Sequence, residues 1–241
     1  MKIGCIIRSV GERTENLCID SVEQYISDVN IIKNVSPFHK AVDQMFEYAA
    51  KQDWDWYIGL DADVILAPGW YDTLVNYLTH LEGNVFRIDF QIKDKFVDPL
   101  LWGVHVYNNT HTSLLRDVLK KTTHLNKPES AIVHQLRTHA KAINATGILL
   151  GYHGYHQYKK DIFNRFALRA TRNPEWLEKY KLFKHYDEDT AIGKQGWKYG
   201  RKNIKKIDFM DYNNKKDFEN EYPPLKITLE EFYKEIKERN V

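Results

Sequence analysis

The chain alternates short apolar runs with longer amphipathic ones. KIGCIIRSV (residues 2–10) is a β-branched run of strand length, and GERTEN after it has the glycine and polar residues of a strand-to-helix loop. A helix is predicted over Glu15–Tyr25 and a strand over Val29–Val35. A second helix opens at Ser36-Pro37, with Ser36 as N-cap and Pro37 in the first turn. Phe38, Ala41, Val42, Met45, Phe46 and Ala49 then fall on one helical face. WDWYIGL (54–60) is the next strand, DVIL (63–66) follows it, Pro68-Gly69 turns the chain, and WYDTLVNYLTHL (70–81) returns to helical periodicity. NVFRIDFQI (84–92) alternates Phe86, Ile88 and Phe90 with Arg87 and Asp89 and reads as a half-exposed strand. WGVHVYN (102–108) is a strand, SLLRDVLKK (113–121) and PESAIVHQLRTHAKAI (128–143) are helices, and TGILLGYH (146–153) is a strand that delivers His153, with His156 just beyond.

The opening βαβαβα order argues for an α/β fold with a mainly parallel sheet, flanking helices, and ligands at the carboxyl ends of the strands. From residue 159 the chain is more polar. Short helices are predicted over 163–170 and 174–183, then a loop-rich stretch around Gly193, Gly196 and Gly200, then TLEEFYKEIKERN (228–240) with Thr228 and Glu231 as a capping box. The expected organisation is one domain overall, a core over 1–158 and a helical or irregular basic extension over 159–241 packed on it.

Composition narrows the classes. Of 241 residues, 43% are hydrophobic and 28% charged, a globular balance, and 13% aromatic suits carbohydrate or base stacking as well as plain packing. Residues 1–158 carry 15 Lys+Arg against 18 Asp+Glu, whereas 159–241 carry 20 against 15. That surplus is too small and too interspersed with acids for a nucleic-acid stripe, though it leaves room for a phosphorylated small molecule. Cys5 and Cys18 make neither a disulfide framework nor a zinc site. With no long apolar run and no leader-like start, a cytoplasmic protein without a transmembrane segment is expected.

The candidate chemistry centres on YIGLDADVILAPG (57–69). An unpaired carboxylate taken out of water costs several kcal/mol or more, so something cationic is expected at Asp61 and Asp63. At i and i+2 of an extended segment the two face one side, with Ala62 facing the other, and make half of a divalent-cation site. The alternative is a pair of polar residues where a strand leaves the sheet. His153 and His156 are either further ligands or packing residues at a strand end. Arg8, Ser9 and Arg13 sit in the loop after the first strand, where they are either ligand contacts or solvated charges.

Taken together, IIRSVGERTENL, SPFHKAVDQMFEYA and LDADVILAPGW resemble, over roughly residues 1–158, the GT-A glycosyltransferases, the nucleotide-sugar-dependent enzymes with a DxD motif. The resemblance implies a Rossmann-like GT-A fold and a UDP- or GDP-linked donor contacted by Asp61, Ala62 and Asp63. Asp61 would touch ribose or metal and Asp63 would hold the metal, Mn²⁺ or Mg²⁺, with His153 the first choice and His156 the second for a late ligand. Arg8, Ser9, Arg13 and Lys40 would take the nucleotide, and Trp102 with Gly103 the sugar or acceptor. Glu129 would act as base on the hydroxyl of a carbohydrate or glycoconjugate acceptor, with Asp98 competing; Ser130 stands where the family usually has a second acid. Two alternatives stay open: a haloacid-dehalogenase-type Mg²⁺ phosphohydrolase, whose motif belongs on a first strand, and a non-catalytic nucleotide- or glycan-binding module.

Overall fold

The structure, a computed structural model, describes residues 1–122, 128–136, 138–172, 175, 187–203 and 220–239. Its elements run β1 (Ile3–Ser9), α1 (Glu15–Glu23), β2 (Val29–Lys33), α2 (Phe38–Ala49), β3 (Trp56–Asp61), β4 (Val64–Leu66), α3 (Trp70–Thr79), β5 (Val85–Asp94), β6 (Leu101–Asn108), α4 (Thr112–Lys121), α5 (Pro128–Leu136) and β7 (Lys141–His153). Then follow α6 (Lys159–Arg172), α7 (Glu188–Lys202) and α8 (Leu229–Arg239). Among the described residues the strands form one sheet in the order β2-β1-β3-β6-β5-β7-β4. Apolar residues of α2, α4 and α5 pack on one face, around Tyr57, Phe86 and Tyr107, and those of α1 and α3 on the other, around Ile58, Leu60 and Ile88. No helix among the described residues is long and apolar enough to cross a membrane.

The sheet is mixed rather than mainly parallel. β1 pairs in parallel with β2 and β3, and β5 with β7, but β3–β6, β5–β6 and β4–β7 are antiparallel. The chain path also forces the sheet to curl. β3 and β4 lie four strand spacings apart in the sheet order, about 19 Å if flat. Only Ala62 and Asp63 separate them in sequence, and three Cα–Cα steps reach at most about 11 Å. The ends of β3, β7 and β5 are therefore drawn around a common centre.

Other expectations need correction. The polar face of β5 is covered: Arg87 and Asp89 are both 7% exposed. The N-cap position of α2 falls on Pro37 rather than Ser36, after a cis Ser36–Pro37 peptide. The helix expected over 128–143 ends at Leu136, and Lys141–Ala145 instead pair with β5 as the start of β7. The helix expected over 174–183 lies outside the described residues. The Thr228–Glu231 capping box is present, Glu231 N–H donating to Thr228 Oγ1 at 3.2 Å and Thr228 N–H to Glu231 Oε2 at 2.7 Å. α8 then buries Phe232 and Ile236 against Leu17, Ile65 and Tyr155.

The stretch with Gly193, Gly196 and Gly200 is the helix α7. Spacings of three and four put these glycines on one face, and that face lies on the backbone of α6. A Cβ at Gly196 would stand 2.2 Å from the Phe163 carbonyl oxygen, and one at Gly200 would stand 2.1 Å from that of Ala167. Backbone cannot yield as a side chain does. Gly196→Ala is expected to destabilise by about 1–3 kcal/mol through overpacking, read as a lower denaturant midpoint. An unchanged midpoint would mean that α6 and α7 are not in this close contact.

Candidate functional site

Strand register builds the first half of the site. Arg8 on β1 stands opposite Asp61 on β3 in the parallel pairing, so both side chains leave the same face at the carboxyl end of the sheet. Arg8 Nη2 reaches Asp61 Oδ1 at 2.9 Å, and Nη1 reaches Glu129 Oε1 of α5 at 2.9 Å. The Phe38 ring covers the guanidinium, 4.9 Å from its centroid. Glu129 also accepts from the Tyr107 hydroxyl at 2.9 Å, and its backbone carbonyl accepts from Arg87. Arg87 in turn grips Asp89 at 2.6 and 2.8 Å, and His105 Nδ1 lies 2.7 Å from the same carboxylate. Burial by itself would raise the Glu129 carboxyl, but Arg8, His105 and Arg87 outweigh it and hold the group well below the usual carboxylate range.

The second half comes from one row across three strands. His153 pairs with Asp94 of β5 on one side and with Val64 of β4 on the other, so Asp63, one residue before Val64, arrives beside the imidazole. His153 Nε2 is 2.9 Å from Asp63 Oδ2, and Nδ1 is 2.6 Å from Asp94 Oδ2. Asp94 is fully buried, and Arg165 of α6 donates to it. The Arg165 guanidinium is set between Phe96 and Phe166, 5.7 Å from each ring centroid. Gly154, at φ +81°, lets it in, since a Cβ there would stand 2.6 Å from Arg165 Nη1. Burial pulls the His153 pKa down and so does Arg165, yet the Asp63 and Asp94 carboxylates prevail and raise it above 6.5. Burial likewise opposes ionisation of Asp63, but His153 and Arg165 hold its pKa below 3.8.

Both halves open on a cavity of about 300 Å³ at the carboxyl end of the sheet. Its apolar wall is Ile32, Val35, Phe38, Ala41 and Leu168. Its acidic floor is Asp61, Asp63 and Glu12, with Arg8 and Ser9 beside them. Burial and the Asp63 charge push the Glu12 carboxyl up to about 7. The far wall is α6 and the residues before it, including Gln157, Asp161, Asn164, Arg165 and Arg169. Among the described residues, no three His, Cys, Asp or Glu side chains are gathered as a ready-made metal site.

Arg8, Ser9, Asp61, Asp63 and His153 thus line one cavity. Ala62 is fully buried in the core, its carbonyl accepting from Thr14. The remaining candidates do not line that cavity. Arg13 donates to the Pro223 carbonyl and lies 5.0 Å from the Tyr222 ring centroid, and His156 pairs with Glu235 of α8 at 2.9 Å. Lys40 is exposed on α2 and Asp98 in the β5–β6 loop. Trp102 is 40% exposed on β6, while a Cβ at its neighbour Gly103 would meet Ile92 at 2.1 Å, so that glycine serves strand packing. Glu129 stands behind Arg8. The sequence reading missed Glu12, Asp94, Arg165 and the polar stripe of α6. The stripe has a signal: Asp161, Asn164, Arg165, Leu168 and Arg169 share one helical face beside the apolar face of Ile162, Phe163, Phe166 and Ala170.

No protein-family model matches the sequence, and no curated protein does. Among solved structures the chain is similar to a glycosyltransferase involved in the glycosylation of the major capsid of PBCV-1, at 13% identity over 64% of this chain and 93% of that one, TM-score 0.46. It is similar to glucosyl-3-phosphoglycerate synthase from Mycobacterium tuberculosis in complex with Mg²⁺ and uridine diphosphate, at 13% identity over 78% of this chain and 81% of that one, TM-score 0.43. A third likeness is to 4-diphosphocytidyl-2C-methyl-D-erythritol synthase from Anaerococcus prevotii, at 10% identity over 64% and 90%, TM-score 0.41. Likenesses this distant carry no weight on function, which rests on the geometry of the cavity.

Proposed function

We propose that the protein is a metal-dependent glycosyltransferase that moves a sugar from a UDP- or GDP-linked donor to a hydroxyl of a carbohydrate or glycoconjugate. The observation that supports this reading is the Asp63–His153–Asp94 row. Asp94 takes the Nδ1–H, which leaves Nε2 turned to the Asp63 carboxylate, the arrangement of a metal-ligating histidine with its orienting carboxylate. Asp63 and His153 fit a divalent cation held by two protein ligands, with water and substrate phosphates filling its remaining positions. A bound Mn²⁺ or Mg²⁺ there would neutralise charge developing on the departing diphosphate. Transfer breaks the bond from the anomeric carbon to the phosphate oxygen and forms one to the acceptor oxygen, whose proton passes to the released nucleoside diphosphate. The apolar wall of Ile32, Val35 and Phe38 accommodates the nucleobase, and Arg8 keeps Asp61 fixed on the cavity floor. Glu129 anchors Arg8 on this reading rather than serving as the base.

A thermal-shift series with UDP and GDP tests it. Nucleotide and Mn²⁺ together, at about 100 times the dissociation constant, are expected to raise the midpoint by roughly 5–10 °C, with little effect from either alone. The proton between Nε2 and Asp63 must leave first. Below the raised His153 pKa, metal affinity should climb about tenfold per pH unit and then level off. The same proton stabilises the metal-free protein in full below 6.5 and ceases to do so as pH rises through that raised pKa. Equal stabilisation by nucleotide in the presence of a chelator would remove the metal from the proposal, and hydrolysis of an aryl phosphate without sugar transfer would favour a phosphohydrolase.

A further inference from the structure

We infer that the cavity-facing stripe of α6, together with Gln157 just before the helix, reads the hydroxyls of the donor sugar, with Gln157, Asp161 and Asn164 as the contacting residues, so that this segment selects which sugar is carried. The inference rests on the glycosyltransferase reading and adds the substrate class to it. Asp161 and Asn164, three apart, share one face of α6, Gln157 lies just before the helix, and all three line the cavity. The opposite face of α6, through Ile162, Phe163, Phe166 and Ala170, is packed into a core with Phe96 and Trp197. The helix is therefore fixed with its polar stripe turned to the cavity.

The chemistry of the stripe matches hydroxyl groups. Asn164 Nδ2 is buried and has no hydrogen-bond partner among the described residues, and a buried amide N–H without an acceptor is costly. Gln157 is 4% exposed, and its side-chain hydrogen bond among the described residues, to the Tyr155 carbonyl, is long at 3.5 Å. Carboxamides both donate and accept and a carboxylate accepts, which is the set that pairs with neighbouring hydroxyls, each itself donor and acceptor. Position agrees as well. Arg165, adjacent to Asn164, lies 3.1 Å from His153 Nδ1, so the stripe runs close to the proposed diphosphate anchor.

Calorimetry with Mn²⁺ on the full chain tests this, using UDP, UDP-glucose, UDP-galactose, UDP-N-acetylglucosamine, GDP and GDP-mannose as probes. At least one nucleotide sugar is expected to bind more tightly than its own diphosphate. Asn164→Ala should erase about tenfold of that increment while UDP and GDP affinities stay within twofold, and Gln157→Ala provides the same readout if Asn164→Ala folds poorly. The inference is overturned if no sugar adds affinity, if the variants leave the increment intact, or if they weaken diphosphate and nucleotide sugar alike, which would give α6 to the phosphates. Should wild type bind no diphosphate at all, the glycosyltransferase reading falls too, a result distinct from the other three.

Discussion

Asp63→Ala is expected to abolish the metal-dependent part of UDP or GDP binding, leaving whatever affinity the nucleotide has in a chelator. On the proposed reading Asp63 is one of two protein ligands, so its loss would leave the cation with the His153 imidazole, since the other carboxylate of the row, Asp94, is held on the far nitrogen and by Arg165. Asp94→Asn separates orientation from ligation. Asparagine keeps the shape but exchanges the charge that holds His153 Nδ1–H and receives Arg165. Loss of such an orienting carboxylate costs about 10–100-fold in metal affinity. Calorimetry with Mn²⁺ and nucleotide, at a pH above the His153 transition, distinguishes the two variants: complete loss for the first and a graded loss for the second. Undiminished metal-dependent binding by Asp63→Ala would remove the basis of the proposed function.

Which parts of the site are readable in the sequence follows from where each side chain finds its partner. Asp61 and Asp63 stand out because an apolar strand runs straight into two carboxylates, and charge at the end of a buried strand needs an explanation. Their partners do not stand out. Arg8 meets Asp61 only because β1 and β3 are parallel neighbours in that register, a pairing between segments more than 45 residues apart that no local pattern encodes. Asp94 is hidden for a different reason: a strand that seems to stop at Ile92 continues for two residues, and its last one is the carboxylate that orients His153. On β5 the alternation of apolar and polar residues suggested a wet face, whereas Arg87, Asp89, His105 and Glu129 satisfy one another beneath α5. Glycine misleads in the opposite direction on α7. It usually marks a break, but at spacings of three and four it gives a helix a flat side for close packing. Periodicity thus identified most elements, and nonlocal register decided which of them meet.

Glu129→Ala is expected to lower stability by about 3–5 kcal/mol, the usual consequence of removing one member of a buried ion pair. Arg8, 5% exposed, would keep Asp61 but lose its second carboxylate, and the Tyr107 hydroxyl would lose its acceptor. Glu129→Gln keeps the shape and an acceptor oxygen, so its cost should be smaller, about 1–3 kcal/mol. The pH dependence carries a sign. The folded pKa lies well below the ordinary 4.5, so the stability that the Glu129 charge contributes is present above 4.5 and lost as pH falls through the folded value. The gap between wild type and Glu129→Gln should therefore narrow in acid and be widest near neutrality, in urea denaturation followed across that range. An acceptor base predicts the reverse pattern: a loss of turnover with the unfolding midpoint unmoved. A double-mutant cycle of Glu129→Gln with Arg8→Gln adds a check, because an anchor requires coupling of about 0.5–3 kcal/mol between the two positions. If the two changes simply add, Glu129 is not what holds Arg8 against Asp61.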